Sequence, residues 1–405
     1  MSENHRMFEP ASIGSIRLRN RFLRSATHEG MADADGAPTE LLEELYVRLA
    51  KGEAGALIAG YAGVLQQGRS SFPGMLMMHD DRLVPAYRRL LDTVHQAGAP
   101  VIAQLAHCGR QTRSAVTGKR TVAPSAQKDP FFTEEVPHEL SDSDIREIIE
   151  AFSGAAVRAR ASGFDGVQLH CAHGYLLAQF LSPFSNRRTD RWGGSIENRF
   201  RIVSEIMQSI HRKVGDFPVL AKINAYDGMK GGMKVEDAVQ IAMMLEQAGC
   251  AAVEVSSGVI SEGLAVMRGP KTPLDPLFEA NFKFASIPQL LQPVLKRVLP
   301  PFLPASPKPY RCYNVQASKE IKAAVSMPVI VVGGIHTLED ASVVLSGSRA
   351  DFVSMSRPFI NDPAIVRKFR EGSQTMSKCT MCNYCAIMIE QESLRCWRGR
   401  LPDRS

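Results

Sequence analysis

Apolar runs of six to nine residues alternate along this chain with longer segments whose apolar positions recur every three or four residues. The runs are RFLRSA from Arg21, ALIAGYAGV from Ala56, PVIAQLA from Pro100, GVQLHCA from Gly166, PVLAKIN from Pro218, AAVEVSSG from Ala251, PVIVVGG from Pro328 and DFVSMSR from Asp351. Their apolar character is continuous rather than alternating, which predicts parallel strands buried on both faces. The intervening segments predict helices. TELLEELYVRLAKGE from Thr39 reads as a capped amphipathic helix, and SDSDIREIIEAFSGAAVRARASG from Ser141 has two acids in its first turn and Gly163 after its last. Eight strands, each followed by a helix, close most simply as an α/β (β/α)8 TIM barrel.

Two segments exceed the minimal barrel. Residues 270–314 hold an apolar helix, IPQLLQPVLKRVL, and then the Pro-rich PPFLPASPKPY; they predict an insertion after strand six that shapes the active face. Residues 373–405 form a tail rich in cysteine and arginine. The expected organisation is a barrel over 1–372, with its insertion at about 270–314, and a Cys-rich tail over 373–405.

Composition narrows the function classes. At 405 residues and 44% hydrophobic, the chain can bury a large core. Its net charge of +6 comes from both signs scattered throughout, which suits an anionic small molecule and gives no nucleic-acid stripe. MSENHRMFEP lacks an apolar leader, and no run approaches the ~18 apolar residues of a membrane span, so a cytoplasmic protein is expected. Of eight cysteines, Cys108, Cys171, Cys250 and Cys312 lie alone.

Barrel enzymes place their chemistry where strands end. The ends here offer Ser25, Ala26, Thr27 and His28; Tyr61; Gln104 and His107; His170, His173 and Tyr175; Lys222; Gly333 and Gly334; and Ser356 and Arg357. A glycine pair after strand seven and an arginine after strand eight match a barrel phosphate site, although two glycines can simply turn the chain. Gln104 and Lys222 are the equipment for a flat heterocycle that alternates between neutral and anionic states, as FMN does, although any barrel synthase can carry a Gln and a Lys. Two imidazoles spaced as in His170 and His173 can also pair on a metal, but no third ligand stands near them.

QLAHCGRQ from Gln104, VAPSA from Val122, HCAHGYLLAQFLSPFSNRRTDRWGGSIENRFR from His170, VVGGI from Val331 and SRPFINDP from Ser356 together carry a family resemblance. The chain resembles the Old Yellow Enzyme family of FMN-dependent ene-reductases over roughly residues 7–372, nearest the branch of 2,4-dienoyl-CoA reductase and related NADH:flavin oxidoreductases. The resemblance implies an enzyme that passes hydride from NAD(P)H through flavin N5 to the activated C=C of an α,β-unsaturated carbonyl or enoyl thioester. It assigns His170 and His173 to the substrate's carbonyl oxygen and Tyr175 to the proton donor, a role a held water can also fill. Ser25, Ala26, Thr27 and Tyr61 then lie at the flavin, Gln104 at its pyrimidine edge, and Gly333, Gly334, Ser356 and Arg357 at its phosphate. Lys222 stands where many relatives have arginine, keeping the charge and losing a bidentate grip. His28 tunes the flavin or merely packs. A trimethylamine dehydrogenase-like flavin dehydrogenase or demethylase is the alternative enzyme, and a metal- or redox-responsive interaction protein the alternative of another class.

Cys379, Cys382, Cys385 and Cys396 are spaced C-x2-C-x2-C-x10-C. Such thiols suit a [4Fe-4S] cluster or a zinc ion, with free thiols the remaining option. The dienoyl-CoA reductase branch has a similar motif directly after its barrel, with the third Cys one residue later. Relatives with the cluster continue into an FAD- and NADPH-binding region, whereas nine residues follow Cys396 here. A cluster would then draw electrons from a donor protein; without one, NAD(P)H is expected to reduce FMN directly in the substrate pocket. A homo-oligomer is expected.

Overall fold

The computed structural model describes residues 6–401 except 130, 131, 134, 262–265, 271, 272, 282, 304 and 305. Eight parallel strands form its centre: β1 (Phe22–Arg24), β2 (Ala56–Ile58), β3 (Val101–Ala106), β4 (Gly166–Cys171), β5 (Val219–Asn224), β6 (Ala252–Ser256), β7 (Val329–Val332) and β8 (Phe352–Met355). Each pairs with its neighbours in chain order and β8 pairs with β1, so the sheet closes. All eight predicted runs become strands, and every residue of each is buried except Val332, which is partly buried. An N-terminal hairpin, Ala11–Ile13 with Ile16–Leu18, plugs the floor: Ile13, Ile16 and Leu18 pack on Leu23, Ile58, Ile102 and Phe352.

The outer ring comprises α1 (Glu40–Lys51), α2 (Val84–Gln96), α3 (Asp142–Ser162), α4 (Ile196–Val214), α5 (Val235–Gln247), α6 (Val315–Ala324), α7 (Leu338–Ser346) and α8 (Ile365–Arg370). The start and stop of α3 are those its sequence predicts. Ser141 and Asp144 close a reciprocal capping box, and Gly163 ends the helix at φ 97°, a backbone that costs glycine least. Its inner face buries Ile145, Ile148, Ile149 and Phe152, each contributing roughly 1.5–3 kcal/mol. Thr39 precedes α1 as expected, but its hydroxyl donates to Met31 O at 2.7 Å instead of capping the helix.

Between β6 and α6 the chain makes its excursion. The segment predicted as one helix is a 3-10 turn at Gln289–Leu291 followed by a helix at Gln292–Val298, because Pro293 fits only a first helical turn and Pro300 follows. Leu290 is 93% and Phe302 80% exposed, so this element is not a core helix. The tail folds back on it: Met388 and Trp397 pack on Ala280, and Asn281 Nδ2 donates to Glu390 Oε1 at 2.8 Å.

Candidate active site

Every barrel residue singled out in the sequence except His107 lines one cavity of about 690 Å³ at the C-terminal ends of the strands, a size that admits a cofactor-sized molecule. Leu277, Phe284 and Tyr313 of the excursion and Cys385 of the tail form its outer wall. His107 is not among the lining residues; it is buried, with Nδ1 accepting from Gly109 N at 3.0 Å.

Parallel register builds the base of the cavity. Lys222 on β5 lies beside His170 on β4 and Glu254 on β6, and Gln104 on β3 lies beside Gln168 on β4. All of these side chains except His170 belong to one connected network. Gln104 Nε2 donates to Gln168 Oε1 at 2.7 Å, and Gln168 Nε2 to Glu254 Oε2 at 2.9 Å. Glu254 Oε1 accepts from Ser25 Oγ at 2.7 Å and Ser354 Oγ at 2.6 Å, while Lys222 Nζ lies 3.4 Å from Glu254 Oε2 and donates to Ser25 Oγ at 2.8 Å. Burial pushes the Glu254 carboxyl up, but the Lys222 ammonium and the hydrogen bonds from Ser354, Ser25 and Gln168 outweigh it, leaving the carboxyl below its usual range. Burial likewise lowers Lys222, against the support of Glu254. Glu254 and Gln168 escaped the sequence reading. Their signal was there: a carboxylate inside the wholly apolar-flanked run AAVEVSSG is buried only when paired.

His170 and His173 stand above this layer. Their rings are perpendicular with centroids 5.2 Å apart, and Tyr175 lies 4.9 Å from His170. His173 adopts φ 62°, a left-handed backbone that costs a non-glycine residue about 1 kcal/mol. Its N–H donates to Asn224 Oδ1 at 3.0 Å and its C=O accepts from Ile260 N at 3.1 Å, and these bonds hold the turn. His173 Nε2 shares a 2.7 Å hydrogen bond with Ser256 Oγ, whereas His170 Nδ1 is buried without a partner among the described residues. Burial, reinforced by the Lys222 charge, holds both imidazoles well below the usual histidine range, so both are neutral at pH 7. Burial raises Tyr175 well above the usual phenol range, and its hydroxyl donates to Tyr61 Oη at 3.1 Å, which donates to Ser70 Oγ at 3.3 Å. His28 stacks on Tyr61 with ring centroids 5.3 Å apart, and burial lowers it to about 4.

The opposite end of the cavity is the glycine pair. Gly333 and Gly334 have φ of 136° and 70°, and a Cβ on Gly334 would lie 2.4 Å from Tyr310 O, so no larger residue fits. Thr27 Oγ1 and Ser356 Oγ, 2.8 Å apart, tie the end of β1 to that of β8. Arg357 Nη1 donates to Arg268 O and Asn383 Oδ1, both at 2.7 Å, which fixes the guanidinium at the cavity wall. An unpartnered imidazole nitrogen, a buried cation, an amide and a glycine cradle beside an arginine fit a phosphorylated, electron-accepting heterocycle.

The four tail thiols border a single gap of about 20 Å³, room for about one water. All are free, and burial raises Cys385 to about 12. Among the described residues no three His, Cys, Asp or Glu side chains converge as a metal centre. The donor chemistry suits a soft metal, but the spacing of the thiols here does not.

Residues 6–270 and 303–375 match the NADH:flavin oxidoreductase / NADH oxidase family, and the gap between the two matched parts falls in the excursion. The chain is 34% identical over 396 residues to an NADH oxidase of Thermoanaerobacter brockii, covering 96% of this chain and 55% of that protein. It therefore spans about half of that relative's length. It is 31% identical to the 4,4'-dithiodibutanoate disulfide reductase of Rhodococcus erythropolis, covering 95% of this chain and 93% of the relative. An old yellow enzyme homologue from Zymomonas mobilis has the same fold, with a TM-score of 0.74 at 24% identity over 98% of this chain and 99% of that one. Among the described residues no helix is long and apolar enough to cross a membrane.

Proposed function

Because this chain belongs to the NADH:flavin oxidoreductase / NADH oxidase family, we propose that it is an FMN-dependent NAD(P)H oxidoreductase that reduces the activated C=C of an α,β-unsaturated carbonyl or enoyl thioester. The observation that carries this reading is the pair of neutral imidazoles, His170 and His173, set perpendicular over a buried cation, with His170 Nδ1 unpartnered.

FMN, once bound, supplies the two-electron hydride chemistry. Gln104 and Lys222 would meet its ring, Ser25, Ala26, Thr27 and Tyr61 line its edge, and Gly333, Gly334, Ser356 and Arg357 hold its phosphate. Lys222, paired with Glu254 at 3.4 Å, would favour an anionic form of the ring. Neutral His170 and His173 each have one N–H to offer the substrate's carbonyl oxygen, where negative charge gathers as the alkene is reduced, in the manner of an oxyanion hole. Tyr175 keeps its proton at neutral pH and is the acid for the α-carbon; it must first release Tyr61, whose link to Ser70 offers a route for replacing the proton.

The same reading takes 1–372 as the catalytic barrel, about 270–314 as the entrance to the substrate, and 373–405 as a thiol-bearing tail. It places the enzyme in the cytoplasm, in keeping with eight unpaired cysteines, and as a homo-oligomer. The test is optical. Protein supplied with FMN should retain a flavin spectrum that bleaches anaerobically with NADH or NADPH and returns on adding an enone. Refusal of FMN overturns the reading, and recovery with an amine's imine in place of an enone transfers it to amine dehydrogenation.

A further inference from the structure

On the outside of the barrel, between α1 and the short helix Arg357–Asn361, the tail closes a second hollow of about 490 Å³. Arg24, Arg48, Lys378, Arg395, Arg398 and Arg400 line it, and none of its described lining residues is a carboxylate. Arg24 is neutralised by Glu29 at 2.7 Å. Arg48, Lys378, Arg395, Arg398 and Arg400 have no ion pair and no side-chain hydrogen bond among the described residues; Arg395 lies over the Trp397 ring at 3.7 Å. Some exposed cations elsewhere are paired, as Arg370 is with Glu53 and Lys213 with Glu150, both at 2.6 Å. The hollow thus brings together cations from α1 and from a tail some 350 residues away.

Like charges held together repel, and nothing in the described protein offsets these five. The hollow is concave and of small-molecule size, whereas a protein partner needs a broad face of roughly 800 Å². Four of the five are arginines, whose planar forks match phosphate oxygens in pairs. We infer that this hollow is a binding site for a polyphosphate chain, carried either by a nucleoside di- or triphosphate or as inorganic polyphosphate, distinct from the phosphate site at Gly333 and Arg357. It adjoins Cys396 of the thiol gap, and Ile360 and Leu394 are shared with the active-site cavity, so an occupant would pin the tail against α1.

Calorimetric titration of the full chain in low salt, with saturating FMN to keep the Arg357 end occupied, tests it. Sodium tripolyphosphate and ATP should bind saturably at one site per chain, at least about tenfold tighter than AMP, and adenosine should not bind. ATP binding tighter than tripolyphosphate assigns the nucleotide, and equal affinity assigns the phosphate chain alone. Arg48→Ala combined with Arg400→Ala should weaken binding at least about tenfold and abolish the ligand-induced rise in melting temperature, with enone reduction unchanged. Heats that do not saturate, or a double variant that binds as well as the parent, overturn the proposal. The hollow shares no ligand-holding residue with the flavin reading, so a protein that takes up no FMN sinks that reading while the Arg48 and Arg400 comparison still decides this one.

Discussion

The base of the barrel and the rim of the tail handle charge in opposite ways. At the base, Lys222 and Glu254 are almost wholly buried and every oxygen of Glu254 has donors, from Ser25, Ser354, Gln168 and Lys222. At the rim, Arg48, Arg398 and Arg400 are exposed and have no ion pair among the described residues. Water explains the contrast. A charge removed from water must be compensated by its neighbours, whereas an exposed one is screened and can wait for a ligand. The base is therefore a fixed electrostatic setting, and the rim is a surface whose partner comes from outside.

The strongest way to break this contrast is to orphan a charge at the base. Glu254→Ala leaves the Lys222 charge buried without its counter-ion and should cost about 3–5 kcal/mol of unfolding free energy. Glu254→Leu with Lys222→Met, which removes both charges, should recover most of that. Urea denaturation checks both, and a loss under about 1 kcal/mol in the single variant would show that the pair is not holding the base. Acid gives the same test without mutation. The folded Glu254 carboxyl lies below its usual range, so it stabilises above the unfolded value near 4.3, and that contribution fades as pH falls below it.

Next in size is the imidazole pair. Replacing His170 and His173 together with Ala should slow re-oxidation of the reduced enzyme by an enone by about two to three orders of magnitude, read by stopped flow. An unchanged rate removes both from the chemistry. Because burial holds both rings neutral and Tyr175 protonated, the same rate in the parent should be flat between about pH 6 and 9. A bell centred near the ordinary histidine value would show instead that an imidazolium is the donor.

Gly334→Ala comes third. Its Cβ would approach Tyr310 O to 2.4 Å at a φ of 70°, a strain of about 1–3 kcal/mol. FMN affinity, measured by fluorescence quenching, should fall by about tenfold or more, and full affinity would separate the glycine cradle from the phosphate.

What the sequence made legible follows the same division. Strands buried on both faces must be apolar throughout, so all eight could be read from local composition, and the residues at their ends then converged because a closed barrel leaves them nowhere else to go. His170, His173, Lys222 and Arg357 reach one cavity for that reason. Glu254 was hidden inside an apolar run, where one acid looked like an exception rather than half of a pair. The excursion misled because LLQPVLKRVL has helical spacing, yet Pro293 and Pro300 restrict it to less than two turns and Leu290 is exposed. The hollow at the rim was invisible, since Arg48 and Arg400 meet only through the fold.

The smallest expected effect makes the contrast sharpest. Arg398→Ala removes a full positive charge, as Lys222→Ala would, yet Arg398 is exposed with no partner to strand among the described residues. Its unfolding free energy should stay within about 0.5 kcal/mol of the parent, and relief of repulsion from Arg395 and Arg400 favours a slight gain at low ionic strength. That gain should vanish in ~0.5 M salt, where the screening length falls to a few ångströms. Urea midpoints at the two salt concentrations decide the matter. A loss of several kcal/mol would mean that Arg398 is held by the fold as Lys222 is, and the distinction between a settled interior and a waiting surface would fail at the residue chosen to represent it.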